Sequence, residues 1–326
     1  MTTLPWQHAH WAHLHSYIVQ QRIPQALLIT GGKGVGKLQL AEQFAAALLC
    51  EQPQTDSHAC GQCHSCLLLK AQTHPDFMQV QPEEGKTTIA IDQIRSLITK
   101  LTLKPQFDRY RVVILNPADK MNNAAANAFL KCLEEPNERT ILVLVSDRQS
   151  KLPATILSRC QKLAIAMPDK ATVLTWLTAQ AIKDDASVLL GLAQGAPLLA
   201  LSYAKEGVVT QRNDCFKQFL AVAKRQNHPV IVAEQWLKLP EAPLLFWLTS
   251  WVVDLIKCAY QSHAEHLYNP DLHTSLRGLT QSLELKKLYQ LYDLLLLSRQ
   301  RLESTLNKQS LFEEILIQWS ELNRSR

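Results

Sequence analysis

The chain has 326 residues, with 34 Lys+Arg against 29 Asp+Glu, a formal net charge of +5, 47% hydrophobic and 19% charged residues. These proportions exclude a wholly disordered chain, and at about 100–200 residues per domain the length predicts two or three domains. The mild positive excess permits contact with nucleic acid without requiring it. No apolar run reaches the ~18 residues that a bilayer demands, and Met1 to Trp6 lack a basic region followed by an apolar core. A cytoplasmic chain with no membrane partner is expected.

Near the N-terminus, His8, His10, His13 and His15 are interleaved with Trp6, Trp11 and Leu14. No cysteine or carboxylate beside them completes a metal site, so the segment reads as an amphipathic helix with a packing face. Ala26–Thr30, bounded by Pro24 and Gly31, reads as a buried strand running into a Gly-rich turn. Gln39 to Leu49 is a strong helix former. Phe77 to Gln81 predicts a strand. Ile91, Ile94, Leu97, Ile98 and Leu101 recur at helical spacing, with Asp92 as the expected N-cap. Arg111–Leu115 suits a central parallel strand, Asn122–Leu133 a helix stopped near Pro136, and Thr140–Val145 and Leu163–Ala166 two more strands. Strands alternating with helices imply a parallel sheet covered by helices. Residues 168–207, which contain Gly191, Gly195 and Pro197, predict short helices. Beyond 208 the pattern is that of a helix bundle, with Leu285, Leu288, Leu291 and Leu295, then Leu311, Ile315, Trp319 and Leu322, as core or subunit interface.

Gly31-Gly32-Lys33-Gly34-Val35-Gly36-Lys37-Leu38 fits the first seven positions of the phosphate-binding loop G-x-x-x-x-G-K-[ST]. Glycines let backbone N–H groups approach phosphates, the lysine reaches the β- and γ-phosphates, and the following helix offers its N-terminus to the anion. At the eighth position Leu38 replaces the hydroxyl that would hold Mg²⁺. The acidic pair expected at the end of a neighbouring strand is replaced by Asn116 and Pro117, a neutral amide and a residue with no basic group. Asp119 follows three residues after Asn116, too late to replace them on the same strand end. Loss of a positioned base costs about 10²–10⁴ in rate. The expectation is a loop that keeps its fold (Gly31, Gly34, Gly36, Lys37), binds ATP weakly or not at all, has no Mg²⁺ site and does not hydrolyse ATP by itself.

Four of the eight cysteines are clustered as Cys50-x9-Cys60-x2-Cys63-x2-Cys66. Four soft ligands suffice for a closed tetrahedral Zn²⁺ site, which with no open position is structural. Gly61 helps the chain turn back, and His58 and His64 are unnecessary as ligands. Disulfides are disfavoured in a reducing compartment. Cys132, Cys160, Cys215 and Cys258 stand apart and read as small buried hydrophobes.

Several segments, in one order, carry a resemblance: Arg22-Ile23-Pro24-Gln25-Ala26-Leu27-Leu28, the four-cysteine insertion, His74-Pro75-Asp76-Phe77 and Ile91-Asp92-Gln93-Ile94-Arg95. They are followed by Ala124-Ala125-Ala126-Asn127-Ala128-Phe129-Leu130-Lys131, Leu133-Glu134-Glu135-Pro136 and Leu157-Ser158-Arg159-Cys160. Over essentially its whole length the chain resembles the delta prime family of bacterial DNA polymerase III clamp loader subunits. The ATPase sister subunits share several of these segments, and the degenerate loop and acidic motif point away from them.

The resemblance implies an AAA+ α/β domain with a parallel sheet and a zinc-binding insertion (1–166, insertion about 50–66), a small helical lid (167–207) and an all-α collar (208–326). It implies a stator that turns over no ATP of its own and presents Arg159 as an arginine finger in trans to ATP on the neighbouring motor subunit. Expected partners are the gamma and tau ATPase subunits and the delta subunit in a hetero-pentameric ring. Through that ring the chain would meet the sliding clamp and primed DNA, as part of a DNA-directed DNA polymerase holoenzyme. The arginine with which active lids sense the γ-phosphate has no counterpart in Gly195-Ala196-Pro197-Leu198. The alternatives are an active AAA+ ATPase subunit of the same complex and a zinc-dependent DNA-binding module. The small net charge and the lack of a recognition helix beside the cysteines weigh against the latter.

Overall fold

The computed structural model describes residues 3–107, 109–135, 139–281, 283–301 and 307–322. The chain divides into two compact units, residues 1–176 with 196–199, and 177–195 with 200–326.

The first unit is built on five parallel strands, β1 (Ala26–Gly31), β2 (Phe77–Val80), β3 (Arg111–Leu115), β4 (Thr140–Ser146) and β5 (Gln161–Ile165), in the order β2-β3-β4-β1-β5. The three central strands are buried on both faces, which is why they read as unbroken apolar runs rather than alternating ones. Leu27, Ile29, Val112, Ile114, Val143 and Val145 pack with helices α1 (His8–Val19) and α2 (Lys37–Leu49) on one side. Leu28, Val113, Leu115, Leu142 and Leu144 pack on the other with α4 (Ile91–Leu101), α5 (Asn123–Glu134) and α6 (Ala154–Leu157). The short α3 (His64–Lys70) lies in the cysteine segment.

Two local signals resolve differently. The N-terminus of α4 is capped not by Asp92 but by Gln93, whose Oε1 accepts the Ala90 N–H at 3.0 Å, while Asp92 pairs with Arg95 at 3.2 Å. A glutamine reaching back to the N-cap is the second half of a capping box and works without a polar N-cap side chain. Helix α5 has the expected cap, Asn122 Oδ1 accepting from the Ala125 N–H at 2.8 Å. Its expected stop, Pro136, lies outside the described residues.

Helices α7 (Lys170–Thr178) and α9 (Pro197–Glu206) are divided between the units, and α8 (Ala186–Leu192) belongs to the second. The second unit continues with α10 (Val208–Ala223), α11 (Pro229–Trp236), α12 (Glu241–Ala259), α13 (His273–Thr280), α14 (Leu285–Arg301) and α15 (Lys308–Leu322). Helix α12 is the one among the described residues long and apolar enough to cross a membrane, yet Leu244, Trp247, Trp251 and Leu255 are buried in the core of this unit. The Trp319 ring stacks on Phe219 with centroids 4.1 Å apart and donates from Nε1 to the Phe219 carbonyl at 2.9 Å. Trp319→Ala removes a fully buried ring and is expected to destabilise this unit by about 3–5 kcal/mol. The drop in its urea midpoint, followed by circular dichroism, measures this; an unchanged midpoint would show that Trp319 is dispensable to the core.

Candidate functional site

Gly31 is the last residue of β1, and Lys37 the first of α2, so the glycine loop joins strand to helix as the motif requires. Gly36 has φ +86°, and a Cβ there would run into Leu4 and Gln7. The loop carbonyls are taken by protein groups. Val35 O accepts from Trp6 Nε1 and Gln7 Nε2, each at 2.9 Å, and Gly34 O accepts from the Leu198 N–H at 3.0 Å. Leu38 is half-buried and packs against the core, so a side chain that would have faced Mg²⁺ has become an apolar contact.

Lys37 is buried, at 4% exposure. Its Nζ lies 2.7 Å from Asp147 Oδ1 and donates to the Gly32 carbonyl at 2.6 Å. Asp147 follows directly on β4, and β4 lies beside β1 in parallel register, with Ser146 opposite Thr30. Parallel pairing therefore brings the residue after β4 to the loop after β1. From the other side of β4, Asp119 Oδ1 accepts from Ser146 Oγ at 2.9 Å and from the Asp147 N–H at 2.8 Å. The only carboxylate following β3 closely is thus spent on holding the end of β4. Asn116, at the end of β3, donates its N–H to Val80 O at 2.9 Å.

Cys50, at the end of α2, meets Cys60, Cys63 and Cys66, all four sulfurs lying within 4.8 Å of one another. Cys50 and Cys63 are 3.9 Å apart, as are Cys60 and Cys66. A tetrahedral ion with sulfur bonds of about 2.3 Å, as zinc makes, requires sulfurs about 3.8 Å apart. A disulfide requires about 2.05 Å. The donor set and spacing fit a metal. The Cys60, Cys63 and Cys66 N–H groups point at the Cys50, Cys60 and Cys63 sulfurs, at 3.2, 3.3 and 3.4 Å. Such bonds favour thiolate, and N–H groups of Gln62 and Cys63 bring the Cys60 thiol down to about 6. Burial raises the Cys50 and Cys66 thiols. Gly61 makes the turn with φ +76°. His58 instead stacks on Trp11 and pairs with Asp56 at 2.9 Å, and His64 lies against Phe107. The four scattered cysteines are all buried, and burial pushes the Cys160 thiol up to about 11 and Cys215 up to about 12.

A buried clamp that the sequence did not announce holds this insertion down. Ser65 Oγ donates to Leu49 O at 2.8 Å and accepts from His74 Nε2 at 2.7 Å, while His74 Nδ1 accepts the Asp76 N–H at 3.1 Å. This is a neutral imidazole with its proton on Nε2, and burial lowers its pKa. Protonation would set an N–H against the Asp76 N–H. Below the free-histidine value of about 6.5 the unfolded chain takes up a proton first, so stability falls as pH drops from there towards the lowered value. Imidazole resonances of His74 that titrate below those of an exposed histidine are expected in nuclear magnetic resonance; titration at or above the free value would disprove the neutral clamp.

Arg159 lies between α6 and β5, its side chain 37% exposed. Its Nη2 is 2.8 Å from Glu134 Oε1 and its Nη1 donates to the Thr155 carbonyl at 3.0 Å. The sequence singled out neither Asp147 nor Glu134 as a site residue.

Residues 6–169 match the family described as DNA polymerase III, delta subunit, and residues 206–321 match DNA polymerase III, delta subunit, C terminal. The DNA polymerase III subunit delta' of Pseudomonas aeruginosa is 37% identical over 325 residues, which cover 98% of this chain and 97% of the relative. The delta' subunit of Escherichia coli K12 is 33% identical over 262 residues, covering 79% and 77%. A gamma subunit-related protein of DNA polymerase III from Thermotoga maritima shares the fold with a TM-score of 0.51 at 18% identity, covering 96% of this chain and 99% of that one.

Proposed function

Because the chain belongs to the delta prime family of DNA polymerase III and is thereby a clamp loader subunit, we propose that it acts as a non-hydrolysing stator and lends Arg159 to a neighbour's ATP. The observation that carries this reading is an asymmetry. The lysine of its own glycine loop is buried on an internal carboxylate, whereas the Arg159 guanidinium stands partly exposed on the turn between α6 and β5.

Phosphoryl transfer needs a metal to bridge the β- and γ-oxygens and a group to orient the nucleophile. Leu38, Asn116 and Pro117 supply neither, and Asp119 is committed to β4. An arginine presented from the next subunit stabilises charge on the transferring phosphoryl group without taking part in bond formation. The partners of this reading are the gamma or tau ATPase subunits and delta in a hetero-pentameric ring, which places the sliding clamp on primed DNA. Residues 167–207 serve as a lid and 208–326 as the collar that holds the ring. Zn²⁺ is the ion we assign to Cys50, Cys60, Cys63 and Cys66; when bound it cross-links the end of α2 to the start of α3.

The test is a reconstituted loader carrying Arg159→Ala, assayed for ATP turnover with clamp and primed DNA, alongside the isolated chain with Mg²⁺ and ATP. Turnover by the isolated chain would instead support the active-ATPase reading.

A further inference from the structure

A lysine in this loop ordinarily meets a phosphate. Here the place of the anion is taken: Lys37 Nζ lies 2.7 Å from Asp147 Oδ1, with the lysine 4% and the aspartate 33% exposed. Asp119 Oδ1 holds the backbone that carries this carboxylate, accepting from the Ser146 hydroxyl and the Asp147 N–H. Trp6 and Gln7 fix the loop from its other side through the Val35 carbonyl.

We propose that Asp147 decides what the glycine loop accepts: its carboxylate is a resident counter-anion for Lys37 and excludes polyphosphate. A nucleoside triphosphate entering the loop has to break this ion pair. It also has to bring its own negative charges against the displaced carboxylate, a repulsion that is strong where water is scarce. Removing only the charge, at nearly constant shape, leaves Lys37 buried on the neutral Gly32 carbonyl with no counter-charge, and a buried uncompensated cation seeks an anion. The loop then becomes a metal-independent triphosphate site, since its glycines and lysine are intact. The proposal rests on reading the loop as catalytically silent; it does not depend on the role of Arg159, which is tested in the assembled loader, so the two can fail separately.

The experiment is calorimetric titration of the full-length, metal-loaded chain with ATP and with inorganic triphosphate, no divalent cation being added. Asp147→Asn is expected to bind ATP at least about tenfold more tightly than the unmodified chain, a change of about 1.4 kcal/mol. The gain should vanish in Asp147→Asn combined with Lys37→Met. Equal affinity in Asp147→Asn and the unmodified chain, or a gain that survives loss of Lys37, overturns the proposal. Should Asp147→Asn fail to fold, competitive acylation of the unmodified chain decides. Lys37 must react among the slowest of its lysines, and rapid modification of Lys37 overturns the proposal equally.

Discussion

With alanine at position 159, ATP turnover at the site facing this chain is expected to fall by roughly 10³-fold or more, the range of an arginine finger supplied in trans. Assembly should be unchanged. The reason lies in the surroundings of the side chain. Its pairing with Glu134 is half-exposed to water, and such surface pairs contribute only about 0–1 kcal/mol. The chain therefore loses little by truncation. Against a γ-phosphate at a subunit boundary, where water is thinned out, the same guanidinium is worth several times more. Arg159→Lys keeps the charge but not the planar fork, so it should fall between the two. Steady-state ATPase with clamp and primed DNA, together with size-exclusion of the assembled complex, reads both quantities. A fully active Arg159→Ala loader would remove the trans role while leaving family membership untouched.

Cys63→Ser is expected to reduce bound zinc from about one per chain to near none, because metal binding and local folding are a single event in sites of this kind. Cys63 ties the cluster to α3: its sulfur lies 3.9 Å from Cys50 and caps the helix by accepting the Cys66 N–H. Apart from Ser57, residues 51–64 are exposed or half-exposed, so the insertion has no apolar core of its own. Structural zinc supplies about 10–16 kcal/mol in small domains, and nothing else in this segment approaches that. Elemental analysis by mass spectrometry reads the metal. Thermolysin should then cut within 51–64 in the variant and spare the unmodified chain; trypsin would be blind there, for the stretch holds neither Lys nor Arg. Near-stoichiometric zinc in the variant would contradict the assignment. The sheet is held by its own apolar clusters on both faces, so it should survive, and circular dichroism should change little.

The strands were legible because a parallel sheet buried on both faces leaves runs such as Arg111–Leu115 that no other soluble element resembles so closely. Cysteine spacing exposed the metal cluster for a similar reason: two Cys-x2-Cys steps put sulfurs on one tight turn whatever surrounds them. Asp147 was hidden because its meeting with Lys37 depends on strand order, and local pattern does not reveal that β4 pairs with β1. Glu134 and Arg159 are likewise far apart in sequence and meet only through packing of α5 with α6. The cap on α4 differs for a local reason: Ala90 takes the N-cap, which puts Asp92 second and Gln93 third in the helix, the position from which a side chain reaches back to the N-cap N–H. His74 stood in a segment that matched the family, but its neutral tautomer follows from Ser65 and Asp76, which only the fold brings around it.

The ion pair between Lys37 and Asp147 also bears on how this subunit fares in the cell. Motor proteins that cradle a nucleotide borrow stability from it, by an amount set by the ratio of free ligand to its dissociation constant. If Asp147 keeps nucleotide out of the loop, as proposed above, this chain has no such debt. Its melting temperature should stay level whether the surrounding ATP pool is full or exhausted, so that one member of the assembly remains at constant rigidity while fuel supply varies.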